Sequence, residues 1–107
     1  MTKHRTPLPP EVNNVVVALC ADYDRRAELL RRHEAPAEVL ELCYRLNSGI
    51  DRALAEVCEE GIRNDIRRSI AERRGARRSL LPILGEGAYK RRKRDSEYRI
   101  AEVLRLL

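Results

Sequence analysis

Apolar residues recur at helical spacing along most of the chain. Val12, Val16, Leu19, Tyr23, Ala27 and Leu30 step by three or four, which lines one face of a helix. That helix should open near Pro10, a residue favoured at the first helical position, and end around His33 to Ala35, because Pro36 disfavours helix in the residue before it. A second helix starts at Pro36 with Glu38 in its first turn. In it Cys43, Leu46, Ile50, Ala53 and Val57 follow at spacings of 3, 4, 3 and 4, a heptad-like seam. With so short a connection the two helices are expected to pair as an antiparallel hairpin of coiled-coil character.

Gly61 interrupts the pattern, and Ile62, Ile66 and Ile70 then repeat every four residues up to Gly75, expected as a C-terminal cap after Arg73 and Arg74. An interior Gly costs about 1 kcal/mol relative to Ala, which packing can override, so the pattern leaves open whether Gly61 breaks the helix or bends it. Around Pro82, Ser79 is placed to cap a short turn with Leu80, Leu81, Ile83 and Leu84 facing inward. Gly85 and Gly87 form the next turn. The last helix runs from Glu86 or Ala88 to Leu107, and its apolar stripe of Ile100, Val103, Leu104 and Leu107 occupies only the second half, leaving the first half little to bury. The expectation is a single all-α domain over residues 1–107. It comprises a flexible N-terminus (1–9), a helical hairpin (10–60) and a basic helix-turn-helix-like part (61–107) ending in a long basic helix.

Composition agrees with that architecture. Of 107 residues 36% are charged, and Phe and Trp are absent, so the core must come from Leu, Ile, Val and Ala with Tyr at its edges. No segment reaches the roughly 18 apolar residues of a membrane span. Lys3, His4 and Arg5 followed by the apolar run Val15 to Ala21 superficially resemble a secretion signal. The run is only seven residues long, follows Pro7, Pro9 and Pro10, and continues in helical period through Tyr23 and Ala27. Cys20, Cys43 and Cys58 lie 23 and 15 residues apart, with no Cys-x-x-Cys or nearby His pair, so zinc and disulfide frameworks are not expected. They read as small hydrophobes of a reduced, cytoplasmic chain.

Charge is distributed unevenly along the chain. Residues 1–60 hold 8 Lys/Arg against 11 Asp/Glu, residues 61–94 hold 12 against 3, and residues 95–107 hold 2 against 3. The basic stretch culminates in five consecutive cations, Lys90, Arg91, Arg92, Lys93 and Arg94. Cations at a helix start run against the helix dipole, which favours Asp and Glu there, and bound phosphates would offset both. Arg73, Arg74, Arg77 and Arg78 form a second basic group around Gly75 and Ala76. Dipole interaction with the preceding helix end accounts for Arg73 and Arg74, but less well for Arg77 and Arg78. Tyr89 could stack or bond a phosphate, although a Tyr there more commonly closes the core over the first turn. Arg63, Arg67 and Arg68 are expected on an exposed face beside Asp65 and Glu72.

The segment from Ile50 to Leu107 resembles the phage transcriptional regulators of the RinA and ArpU type, which carry a helix-turn-helix similar to region four of sigma factors. The resemblance rests on Ile50-Asp51-x-Ala53-Leu54, on Ala88-Tyr89-Lys90-Arg91-Arg92-Lys93-Arg94, and on Ile100-Ala101-Glu102-Val103-Leu104. It implies that a small residue and Tyr open a recognition helix, that basic residues follow, and that an Ile-Ala pair anchors its far end. One departure is that Pro82 leaves room ahead of the turn for only one or two helical turns.

Enzymatic chemistry finds little support. His4 and His33 are the only histidines, and neither is near a Cys or Ser in a recognisable arrangement. Asp22 and Asp24 fall on different helix faces. Glu59, Glu60 and Asp51 read as solvated surface acids, and Gly85-x-Gly87 lacks the strand of a dinucleotide site. No enzyme activity, cofactor or metal is expected. The sequence reading is a small DNA-binding transcriptional regulator of phage or prophage origin, contacting double-stranded DNA through residues 90–94 with Arg77, Arg78, Arg73, Arg74 and Tyr89 nearby. The hairpin would serve as a homodimer interface or as a docking surface for RNA polymerase or another phage protein. The alternative is a helical protein-interaction adaptor whose basic segment meets an acidic protein surface. Attachment to a membrane is not expected, because the basic turns lack a Leu- or Trp-rich opposing face.

Overall fold

The computed structural model describes residues 7–75 and 84–107. Among them every regular element is helical: α1 (Pro10–Ala21), α2 (Tyr23–Arg32), α3 (Ala37–Val57), a 3-10 turn (Glu60–Ile62), α4 (Arg63–Glu72) and α5 (Glu86–Val103). The chain is therefore all-α, and none of these helices is long and apolar enough to cross a membrane.

Pro10 occupies the first turn of α1, as its fixed φ and missing N–H favour. The single stripe from Val12 to Leu30 is divided between two helices, because Asp22 adopts φ −95 and ψ 6, in the sparsely populated bridge region. The backbone ladder continues across the bend, with Asp22 N–H donating to Ala18 and Arg26 N–H to Asp22. The Asp22 carboxylate is taken up by Arg25 at 2.7 Å. The bend redirects the chain so that α1 packs against α4 and α5, while α2 packs against α3. Pairing with α3 is thus chiefly the work of the second half of the predicted helix, from Tyr23 on.

The α2–α3 contact is built on polar groups that an apolar stripe does not reveal. Arg26 is 3% exposed; its Nε donates to Asn47 Oδ1 at 2.7 Å and its other arm to the Leu19 carbonyl. Asn47 in turn donates to the Tyr23 carbonyl at 3.2 Å. The buried guanidinium is thereby supplied with acceptors, which is what makes its burial tolerable. Tyr23 closes the edge, donating to Asp51 at 2.7 Å while Arg67 of α4 stacks 4.0 Å over its ring.

The question left open at Gly61 resolves two residues earlier. Cys58 and Glu59 are extended, and Gly61 lies within the 3-10 turn that leads into α4. A further expectation is corrected at the far end of α4. Arg73, rather than Gly75, takes the left-handed conformation, with φ 54. Its N–H bonds Ile70 and the Arg74 N–H bonds Ser69, a 6→1 closure that satisfies the helix end without Gly. At the start of α5, Gly85 has φ 83, where a side chain would be strained.

Val16, Cys20, Ile50, Ala53, Leu54, Cys58, Ile62, Ile66, Ile70, Tyr89, Ile100 and Ala101 form one core. The three cysteines are buried as free thiols. Arg67 is buried and Arg63 half-buried, donating to the Cys58 carbonyl. The expected exposed face on α4 is thus represented, among those arginines, by Arg68 alone.

Candidate nucleic-acid interface

Because α5 begins at Glu86, the earlier of the two expected starts, Lys90 is its fifth residue. The helix opens on an acid, as the dipole favours, and the dipole's influence fades within the first turn. The electrostatic conflict read from the sequence is therefore much reduced. Lys90 lies 4.0 Å from Glu86 as an exposed i,i+4 pair, an arrangement of small energetic weight.

Five consecutive residues sweep more than a full helical turn, so the basic run cannot act as one surface. Its inward side is set by Tyr89, 2% exposed, and Ser96, fully buried. The first half of α5 therefore does pack, contrary to the sequence expectation. Tyr89 donates to Asp65 Oδ2 at 2.6 Å. Burial first, and this hydrogen bond second, push the Tyr89 phenol up to about 12. It is a packing residue, unavailable for stacking on a base.

Arg92 and Lys93 flank the buried side and are drawn back onto the protein. Arg92 holds Glu59 through two hydrogen bonds of 3.1 and 2.8 Å, a fork geometry matched to a carboxylate. The same contact holds the Glu59 carboxyl down at about 2. Lys93 donates to the Arg74 carbonyl at 2.9 Å. Its ammonium pKa is lowered by burial, with Glu97 opposing that shift and Arg74 and Arg73 adding to it.

The second basic group is likewise engaged. Arg74 contacts Asp65 at 3.0 Å and Glu72 at 2.7 Å. Burial alone would lower its guanidinium, but the hydrogen bonds to Asp65 and Glu72 more than offset that and leave it raised. Arg73 donates to Asn14 Oδ1 of α1 at 2.8 Å. Arg77, Arg78 and the turn around Pro82 lie outside the described residues.

What remains on the open face is Lys90, Arg91 and Arg94, all exposed. Positions i, i+1 and i+4 fall within about 100° of one another around a helix. The Arg91 and Arg94 side chains make no ion pair or hydrogen bond among the described residues. Of ten site residues read from the sequence, these three share one open face, Arg91 and Arg94 with no side-chain partner among the described residues and Lys90 beside Glu86 alone. The acids that engage Tyr89 and Arg92, Asp65 and Glu59, stand 24 and 33 residues from them, too far apart for any local pattern to reveal. No family model, curated protein or solved structure matches the chain.

Proposed function

We propose that this chain is a small DNA-binding regulator of the RinA and ArpU kind, which grips duplex DNA by its phosphates through Lys90, Arg91 and Arg94. The observation that carries this reading is the solvent-facing cluster of these three cations on α5, standing free of the acids that engage Arg74 and Arg92. Three phosphate contacts imply a log–log salt slope of about −3, or roughly a 40-fold loss of affinity between 50 and 200 mM salt. Contacts of this kind position a protein on DNA; reading of base edges requires further groups.

The test is fluorescence anisotropy of the purified chain with a labelled random-sequence duplex across a salt series. Each of Lys90→Gln, Arg91→Gln and Arg94→Gln should weaken binding and reduce the slope by about 1. Arg92→Gln should leave the slope nearly unchanged, since that guanidinium already serves Glu59. Absence of binding at low salt, or a slope indifferent to Lys90, Arg91 and Arg94, defeats the reading. A second reading, the adaptor whose exposed cations meet an acidic protein surface, is favoured by the packing of α5 along its length instead of standing clear of the bundle. Failure to bind duplex at any salt concentration would select it.

A further inference from the structure

The basic face lies at the start of α5, and a different surface lies at its end, about 20 Å further along the helix axis. There Val103 and Leu104 press against Gly49 of α3. A Cβ on Gly49 would come within 2.6 Å of Leu104 Cδ2 and 3.3 Å of Val103 Cγ1, so the absence of a side chain is what lets the two helices meet. On the N-terminal side of that contact α3 runs on through residues 37–48. One flank is covered by α2, where Cys43 and Asn47 are buried. The other is open.

The opening is a groove of about 620 Å³ whose apolar lining includes Leu42, Leu46, Val103 and Leu104. Leu42 is 49% exposed, and Val39, one helical turn before it on α3, is 41% exposed. The charged residues lining the groove are all of one sign, Arg45, Arg52 and Arg105, with no acid among them. Arg45 and Arg105 make no ion pair or side-chain hydrogen bond among the described residues, and Arg52 acts on Glu56 through its charge alone. This contrasts with α2, where Arg25, Arg31 and Arg32 each hold a carboxylate, and with Arg74 just past the end of α4, which does the same.

We propose that this groove is a docking site for a segment of a partner protein that inserts Leu-type anchors and carries Asp or Glu beside them. The apolar floor supplies the anchoring surface, and the three arginines supply the register, the division of labour seen when amphipathic helices bind grooves. A second copy of the chain suits the groove less well. Across a twofold axis it would set the arginines against their own equivalents, and isologous contact offers no acid from the groove lining. Val39, one helical turn before Leu42, carries apolar surface past it along α3, as a polypeptide partner needs and a small ligand does not. The site is independent of the basic run at residues 90–94.

The experiment is selection from a random 16-residue peptide library on the immobilised full chain, followed by affinity measurement with surface variants. Selected peptides should be enriched in Leu, Ile or Phe spaced three or four apart with Asp or Glu between them. They should lose at least tenfold in affinity on Leu42→Asp and on the double variant Arg45→Glu with Arg105→Glu. They should keep it on the double variant Lys90→Gln with Arg94→Gln, which separates this groove from the basic face. Circular dichroism checks that each variant is folded. The proposal is overturned if no peptide depends on Leu42, if the selected peptides show no excess of acids, or if affinity follows Lys90 and Arg94 instead. It is overturned equally if the chain self-associates and Leu42→Asp alone abolishes that, since the groove then belongs to a second copy.

Discussion

Tyr89, the residue before the five cations, gives its phenolic proton to Oδ2 of Asp65 at 2.6 Å, and with Ser96, Ile100 and Ala101 it forms the buried side of α5. Asp65 also receives Arg74 at 3.0 Å, and the Arg74 carbonyl accepts from both Ser69 and Lys93. The carboxylate therefore ties the end of α4 to the start of α5. With Tyr89 held inward, Lys90, Arg91 and Arg94 are left outward by helix geometry.

Replacing Tyr89 by Phe keeps the ring in the core and removes the donor. Asp65 retains Arg74, so the loss should be about 1–2 kcal/mol by urea denaturation. The fold holds the Tyr89 phenol up at about 12, against an ordinary 10. The neutral form is thus the one the fold favours. Its contribution is fully present below pH 10 and is lost as pH rises from 10 through 12. Tyr23 is raised to about 12 as well, by burial and its bond to Asp51. The wild type should accordingly lose stability steeply over that window, and Tyr89→Phe less so.

Glu97 is raised above the ordinary carboxylate value, chiefly by burial, with Lys93, Arg73 and Asn13 opposing the shift. A raised acid binds protons more readily folded than unfolded, so this residue destabilises the fold increasingly as pH rises from 4.5 through its folded value. Glu97→Gln should therefore gain stability at pH 7 relative to wild type, with the gain shrinking toward pH 4. Thermal melts at the two pH values measure it.

His33 ends α2 in the left-handed conformation, φ 55 and ψ 40, and is exposed. A non-glycine residue pays for that conformation through its Cβ. His33→Gly should raise stability by about 1 kcal/mol, seen as a higher melting temperature without change in helical content.

Gly49→Leu should force the end of α5 away from α3, because the first added carbon already meets Leu104 and Val103. Overpacking of this kind costs about 1–3 kcal/mol. Faster proteolytic trimming of residues 104–107, alongside a lower urea midpoint, would be the sign that the displacement is local to this contact.

Much of the helical framework was legible in the linear pattern. Ile50, Ala53, Ile62, Ile66, Ile70 and Ile100 were all picked out by spacing and are all buried, because a stripe of period three to four has few other ways to leave water. The bend at Asp22 was hidden, since apolar spacing continues straight through it. The αL cap at Arg73 was hidden because Gly75 offers the cheaper left-handed residue two positions on. The buried pair Arg26 and Asn47 was hidden because charge and amide read as surface until their partners are known.

The candidate site followed the same division. That positive charge gathers between residues 61 and 94 is a property of the sequence and needs no fold. Which of those cations stay open is a tertiary fact, because it depends on acceptors brought from elsewhere: Glu59 to Arg92, Asp65 to Arg74, and the Arg74 carbonyl to Lys93. The sequence determined the helices, the core residues and the sign of the charge. Only the packing of α5 on α3 and α4 decided that three cations face outward and that a bare apolar groove lies at the helix's other end, since such contacts join residues far apart along the chain and no periodicity within one helix encodes its partner.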